Sequence, residues 1–494
     1  MAKKLGIAVV VVVVAFGVFR LTGMRFAVDG SGMWPRFWSR TPNYDELDAD
    51  RAQQRRLPPL PAGDHTPDEA GGAESAPSVA TVPESSRRPS DSASAVLVPP
   101  AAGDGRARGY WPDFRGINRD GRYDEGDIRT DWPADGLPRL WKQPIGVGYA
   151  SFVVANRRAF TIEQRRAQEV VAAYDVQTGR EIWTHGWDAN FVESMGGDGP
   201  RATPTYDDGR IYALGAEGEL RCLDARTGAL VWRHNILSEN DAANLSWGMA
   251  ASPLVVDDKI VVLPGGRRGK SVVAYHKGTG SLAWSGLDDP QAYTSPMLVT
   301  LGGVRQLLIV SAKRIMGLAP DDGRLLWEYP WETFNGISVA QPLLLGHDRI
   351  FISAAYGHGA AAFEVVPDGD RFTARTLWQN TRMKNKFSSS VLRDGFIYGL
   401  DEAILACIDA ATGELKWKGG RYGYGQIMLV GDFVLVLSEE GEVALVRATP
   451  EHYDEVARFA AIDGKTWNYP VIADGRLLVR NIKEMAAFDI RPQR

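Results

Sequence analysis

Two cysteines are all that the 494-residue chain holds, and Cys222 and Cys407 lie far apart. That excludes a disulfide framework, a CxxC metal or redox pair and a CxxCH haem attachment. The chain has no excess of one charge either. Its formal net charge is -5, with both signs mixed along the sequence, so the clustered basic face of a nucleic-acid binder is missing. It has a single long hydrophobic run, residues 5–19, and one long stretch nearly devoid of aromatics, residues 48–108. Glycine (53) and tryptophan (15) are plentiful instead, the mix of turn formers and regularly placed rings seen in turn-rich β proteins.

The run "LGIAVVVVVVAFGVF" follows Lys3 and Lys4. Its length lies between a signal-peptide core and a full membrane span of about 20 residues. No small-x-small cleavage site follows, so an uncleaved signal anchor is favoured over a cleaved signal peptide. Arg20, Arg25, Arg36 and Arg40 follow the run and, by charge alone, pull the C-terminal side toward the cytoplasm. Residues 1–25 are therefore expected as an N-terminal transmembrane helix and 26–47 as a juxtamembrane segment. There, Trp34, Phe37 and Trp38 either sit at the membrane interface or pack on the protein. Residues 48–108, rich in Pro, Ala, Ser, Gly and Asp, cannot bury enough apolar surface to offset their chain entropy and read as a disordered linker.

Residues 109–494 are repetitive. "AYDVQTGREIW" ends at Trp183, "CLDARTGALVW" at Trp232, "AYHKGTGSLAW" at Trp284, "GLAPDDGRLLW" at Trp327 and "CIDAATGELKW" at Trp417. Degenerate copies end at Trp378 and Phe459, and "LWKQPIG" carries an isolated Trp141. These eight aromatics recur at the spacing of a four-stranded propeller blade, roughly 40–50 residues. Between them lies a second series of eight, a two-strand pattern around a DG-type turn, as in "ATPTYDDGRIYAL" from Ala202. Each unit thus reads strand A, turn, strand B, then strand C, an Asp-x-x-Thr-Gly turn, and strand D with its Trp. The chain ends after a strand C, and the orphan strand D is "LWKQPIG" at the start. Pairing the two completes an all-β, eight-bladed β-propeller, closed by its N-terminal strand against the C-terminal blade, with no open edge. Tyr110 to Pro138 is expected against the rim. The recurrent Trp141, Trp183, Trp232, Trp284, Trp327, Trp378 and Trp417 read as rings docked between blades, each burying about 150–250 Å².

The A-x-D-x-x-T-G-x-x-x-W pattern resembles the pyrroloquinoline quinone (PQQ)-type propeller repeat. That family includes quinoprotein alcohol dehydrogenases and non-catalytic relatives such as the assembly lipoprotein of the β-barrel assembly machine. The "WPDFRGINRDG" segment (Trp111 to Gly121) is similar to the start of PQQ-like propeller proteins. The resemblance implies the fold but leaves activity open. Enzymes of the family typically carry adjacent cysteines over the quinone, and this chain has no Cys-Cys. Aligned by strand C, Cys222 and Cys407 match Ala173, Ala274, Gly317, Ala362 and Ala487, a position for small buried fillers. No calcium-ligand or catalytic-Asp motif maps onto this chain. "NRDGRYDEGD" (Asn118 to Asp127) has Gly116 where a calcium loop needs its first carboxylate and reads as a surface turn. No metal site and no cofactor are expected; PQQ with Ca²⁺ enters only under the enzymatic alternative.

What differs between copies is the residue before strand A, which lies at the mouth of the central channel. Candidate ligand-binding residues there are Tyr149, Arg201, Tyr293, Phe387 and Trp467, with Trp247, Lys386 and Tyr424 close by. Aromatic rings with a few cations suit a planar or anionic ligand or a peptide; equally, the rings can simply pack the narrow ends of the blades. His358, in "AAYGHGAA", reads as a loop residue. The expected function is a membrane-tethered, non-catalytic scaffold that binds an envelope protein or peptide. It would span the cytoplasmic membrane once, with the propeller on the extracytoplasmic (periplasmic) side. The alternative is a PQQ-dependent quinoprotein oxidoreductase with an atypical site at the channel mouth.

Overall fold

The computed structural model describes residues 24–27, 36–39, 44–58, 109–369 and 371–493. Eight antiparallel sheets follow one another around a central channel, each with strands A to D from inside to outside. Blade 1 spans residues 153–188, blade 2 205–235, blade 3 254–286, blade 4 297–330, blade 5 343–380, blade 6 391–421 and blade 7 426–460. Blade 8 takes strands A to C from residues 471–489 and its strand D from Arg139–Pro144, which pairs with Glu484–Asp489.

The repeat motif is explained by contacts within and between blades. In every blade with a Trp, that Trp stands opposite the small strand-C residue: Trp183 opposite Ala173, Trp232 opposite Cys222, Trp417 opposite Cys407, Trp141 opposite Ala487. A larger residue would collide with the indole. Both cysteines are fully buried here, and burial pushes each thiol up to about 12. The indole N–H then donates to a carbonyl in the C–D turn of the next blade: Trp141 to Val176 (3.0 Å), Trp183 to Ala225 (3.1 Å), Trp232 to Lys277 (2.9 Å), Trp284 to Pro320 (3.0 Å), Trp378 to Ala410 (3.0 Å) and Trp417 to Thr449 (2.7 Å). The turn's glycine lies against the face of the same indole. Gly228 has φ +75°, and a Cβ there would stand 2.6 Å from Trp183. Glycine is thus required twice over, by a left-handed backbone and by the ring. Asp224 Oδ1 accepts from the Thr227 N–H (2.9 Å) and hydroxyl (2.8 Å), shaping the same turn. Trp327 is the exception. Blade 5 has a long C–D hairpin (Gly359–Asp368 with Arg371–Asn380) in place of the Thr-Gly turn, and Trp327 donates to Gln306 of its own blade (2.6 Å).

The start of strand A carries a second motif, Ser, Thr or Gln after a small residue, that joins blades around the channel. Ser151 N–H donates to Thr203 Oγ1, Ser252 N–H to Ser295 Oγ, and Gln341 N–H to Ser389 Oγ, each at 2.9 Å; Ser295 N–H donates to Gln341 Oε1 at 2.8 Å. These bonds satisfy backbone donors that no strand reaches.

The segment before the first blade departs from expectation. Instead of lying on the rim, Trp111 to Tyr123 crosses the channel end formed by the A–B turns. Trp111 bridges Val154 of blade 1, and Arg122–Tyr123 adds a parallel strand inside blade 7. Arg119, 2% exposed, bonds Asp113 (2.6 Å), Ser252 O (3.2 Å), Pro296 O (2.7 Å) and Pro253 O. Arg115 donates to Ser390 O (2.9 Å) and lies over the Tyr469 ring (5.1 Å). Guanidinium groups suit this role because carbonyls converge at the channel end from many blades, and one fork satisfies several of them. The stretch expected as a surface turn is therefore largely a channel plug.

The linker boundary at residue 48 is also corrected. Helix α1 (Tyr44–Gln54) lies on the seam between blades 8 and 1, burying Leu47, Arg51 and Gln54. Arg51 bonds Glu181 (3.1 Å) and Pro144 O (2.9 Å) beside the fully buried Glu163, itself paired with Arg165 (2.5 Å). The partners of this polar helix lie more than 80 residues away in sequence, so local composition could not announce its docking. Met24–Ala27 pairs with Arg36–Ser39 as a two-stranded hairpin. The apolar run at residues 5–19, Trp34 and the linker from residue 59 to 108 lie outside the described residues. Among the described residues no helix is long and apolar enough to cross a membrane.

Candidate functional site

Plugged at one end, the channel is a blind cup of about 480 Å³, open on the face of the D-to-A connections. Residues just before strand A recur around its wall: Tyr149, Arg201, Ala250, Tyr293, Val339, Phe387 and Trp467. Their positions follow from blade geometry, since strand A is innermost and enters from the mouth. Trp247 also lines the cup, while Lys386 and Tyr424 stand directly behind the wall. All eight candidates are thus drawn to one place.

The rings touch in series. Tyr149 and Trp467 have centroids 5.3 Å apart, Trp467 and Phe387 4.3 Å, and Phe387 and Tyr424 5.6 Å; Trp247 and Tyr293 form a separate pair at 5.8 Å. Cations sit over ring faces between them. Lys465 Nζ lies 3.5 Å from the Trp467 centroid, Lys386 Nζ 4.2 Å from that of Tyr424, and Arg201 Cζ 4.5 Å from that of Phe191. Arg201 also bonds Gly197 O and Gly199 O, and burial holds its guanidinium below the ordinary value. Trp467 Nε1 donates to Glu439 (3.0 Å) and Tyr149 Oη to Gly196 O (2.5 Å). The polar tips are thereby anchored away from the cup that the rings line.

Sequence reasoning missed the loop contributors Met195, Phe334, Ile337 and Tyr356, and Phe114, which the plug supplies to the lining. None occupies a repeated position; apolar residues in the connections were the available signal. His358 stands edge-on to Trp331 (4.4 Å), and burial lowers its pKa.

A quinone with calcium needs metal ligands and a carboxylate beside the reacting carbonyl. Among the described residues no Asp, Glu, His or Cys lines the cup. Among the described residues no cluster of three or more such side chains is placed to hold a metal. Cys222 and Cys407 lie on blades 2 and 6, each under its own indole. The residues present do not fit that group.

Fold and cup define an eight-bladed PQQ-like propeller whose channel is a blind aromatic cavity. The sequence pattern of a known family, described as outer membrane protein assembly factor BamB, matches residues 167–419. The chain belongs to that family. It is similar to outer membrane protein assembly factor BamB of Bordetella pertussis, 22% identical over 339 residues, covering 64% of this chain and 78% of that protein. Among solved structures it is similar to BamB from Moraxella catarrhalis (TM-score 0.51, 16% identity, covering 72% of this chain and 98% of that one). It is also similar to a quinohemoprotein alcohol dehydrogenase from Pseudomonas putida HK5 (TM-score 0.53, 14% identity, covering 77% and 80%). Structures at these identities speak to the fold alone, which serves both an assembly factor and an enzyme.

Proposed function

We propose that this protein is a non-catalytic scaffold of the cell envelope, tethered to the cytoplasmic membrane by residues 5–19, with the propeller on the extracytoplasmic side. Its partner is a protein or peptide that places apolar side chains in the cup. One observation carries this reading: the cup is largely aromatic and apolar, with cations behind its rings and, among the described residues, no carboxylate, histidine or cysteine in its lining. Such a cavity binds mainly by burial and ring contacts, and among the described residues it presents hydroxyls and amides but no carboxylate, imidazole or thiol. Membership of an assembly-factor family agrees with a protein partner.

The test pairs two assays on the purified full chain. Capture from solubilised envelopes should recover a defined partner, and Tyr293→Ala with Trp467→Ala should weaken it at least tenfold without unfolding the propeller. PQQ with Ca²⁺ should give no thermal shift, no quinone absorbance and no dye reduction with alcohols or sugars. Quinone binding with turnover would establish the enzymatic alternative instead.

A further inference from the structure

Helix α1, with the residues after it to Pro58, runs along the propeller wall from the mouth side toward the plugged side. At its start, Tyr44 Oη donates to Gln164 O (3.5 Å), and Arg166, in the B–C turn of blade 1, bonds Asp45 (3.0 Å) and Asp48 (2.8 Å). Beyond its end, Arg180, in the C–D turn, bonds Gln54 O (3.2 Å) and Pro58 O (2.9 Å). In an up-and-down blade the B–C turns share a face with the D-to-A connections, which form the cup's mouth. The A–B and C–D turns share the other face, where the plug lies. The chain preceding Tyr44 therefore leaves from the mouth face, and the chain following Pro58 leaves from the plugged face.

We propose that α1 orients the propeller so that the mouth of the cup faces the membrane. The inference rests on the reading of residues 5–19 as the anchor. The connection is short, because Met24 is paired with Ser39. From Phe19 to Tyr44 the path is five residues, one strand spacing and five residues, about 40 Å at full stretch and about 20 Å as a coil. Arg158–Arg165, a B strand of eight residues, is about 26 Å tall. To turn the plugged face to the bilayer, the connection would have to run down the whole wall, drawn from its coil length of about 20 Å to about 26 Å or more. Turning the mouth to the bilayer requires no such extension. Exposed apolar side chains stand on both faces, Val192 (52%), Met195 (48%), Phe334 (58%) and Tyr356 (41%) at the mouth and Ile117 (53%) and Val304 (43%) at the plugged end, so the orientation rests on the docking of α1 and the short connection before it. The apolar partner of the cup would then be met on the membrane side.

The test uses the full chain in phosphatidylcholine–phosphatidylglycerol vesicles containing a headgroup nitroxide lipid. The buried native thiols leave single introduced cysteines free for a fluorophore: Val192→Cys on the mouth face and Arg226→Cys in a C–D turn on the plugged face. The nitroxide should quench the label at 192 at least threefold more than at 226. Leu47→Asp with Arg51→Ala, which undocks α1, should abolish that difference while the chain still floats with the vesicles and the propeller's thermal transition persists. Equal quenching in the parent chain, stronger quenching at 226, or a bias unchanged by the α1 variant overturns the orientation alone. A chain that does not float with vesicles refutes the tether, and the orientation falls with it.

Discussion

Glu169 offers a quantitative check on the wall beside the cup. It lies on strand C of blade 1, fully buried, and its Oε1 accepts the Ala216 N–H of blade 2 (2.8 Å). Burial is the dominant influence on its carboxyl and raises it to about 7; the Ala216 bond, Trp187 and Arg201 offset this only in part. In the unfolded chain a glutamate titrates near 4.3 to 4.5. The folded state therefore holds its proton more tightly, and stability must fall as pH rises between those two values. The full difference is worth about 3 kcal/mol, with about 2.5 kcal/mol of it falling between pH 5 and pH 8. Glu169→Gln keeps an acceptor for Ala216 and removes the ionisation. Thermal unfolding of both proteins across pH 5 to 8 should show the variant gaining on the parent by about 3–5 °C. Above pH 5 the opposing acid limb does not interfere. Glu163, held below the usual carboxylate range by Arg165, Arg480 and Arg51 despite its burial, loses its contribution only as pH falls below about 4.5. A difference between variant and parent that stays flat from pH 5 to 8 would refute the reasoning, since Glu169 would then be ionised throughout.

The turn glycines allow a paired test of the indole contact. Gly228→Ala meets both positive φ and the Trp183 ring, whereas Gly209→Ala, at φ +73° with nothing within 4 Å, meets only the strain. Gly209→Ala should cost about 1 kcal/mol and Gly228→Ala about 2 kcal/mol more, read from equilibrium or thermal unfolding. Equal losses would remove the ring from the explanation. The native protein at pH 8 should leave both thiols unreactive toward a disulfide reagent, with two equivalents released on unfolding; rapid native labelling of either cysteine would contradict its place under an indole.

Repetition made most of the fold legible. A Trp in seven of the eight blades, a small residue opposite it on strand C and a Thr-Gly turn recur because each blade solves the same packing problem with its neighbour. Even the cup could be located, since the residue before strand A must enter at the channel mouth wherever it occurs. Trp327 shows the limit. Its motif looks regular, but its hydrogen bond depends on the next blade's turn, which is replaced by a long hairpin. Phe334 and Tyr356 come from loops of unrelated sequence, and nothing local marks them as cup residues.

By itself, the amino-acid sequence determined the eight blades, their strand order, the roles of the recurrent Trp and Gly, and the burial of Cys222 and Cys407. These depend on contacts between neighbours in a regular array, so periodicity encodes them. Only the tertiary structure decided that Trp111 to Tyr123 plugs the channel and makes the cup blind, and that α1 is docked across the seam. Arg119 reaches carbonyls of blades 3 and 4, and Arg51 reaches Glu181 of blade 1. Such contacts join residues far apart in sequence through single side chains, and no repeat records them.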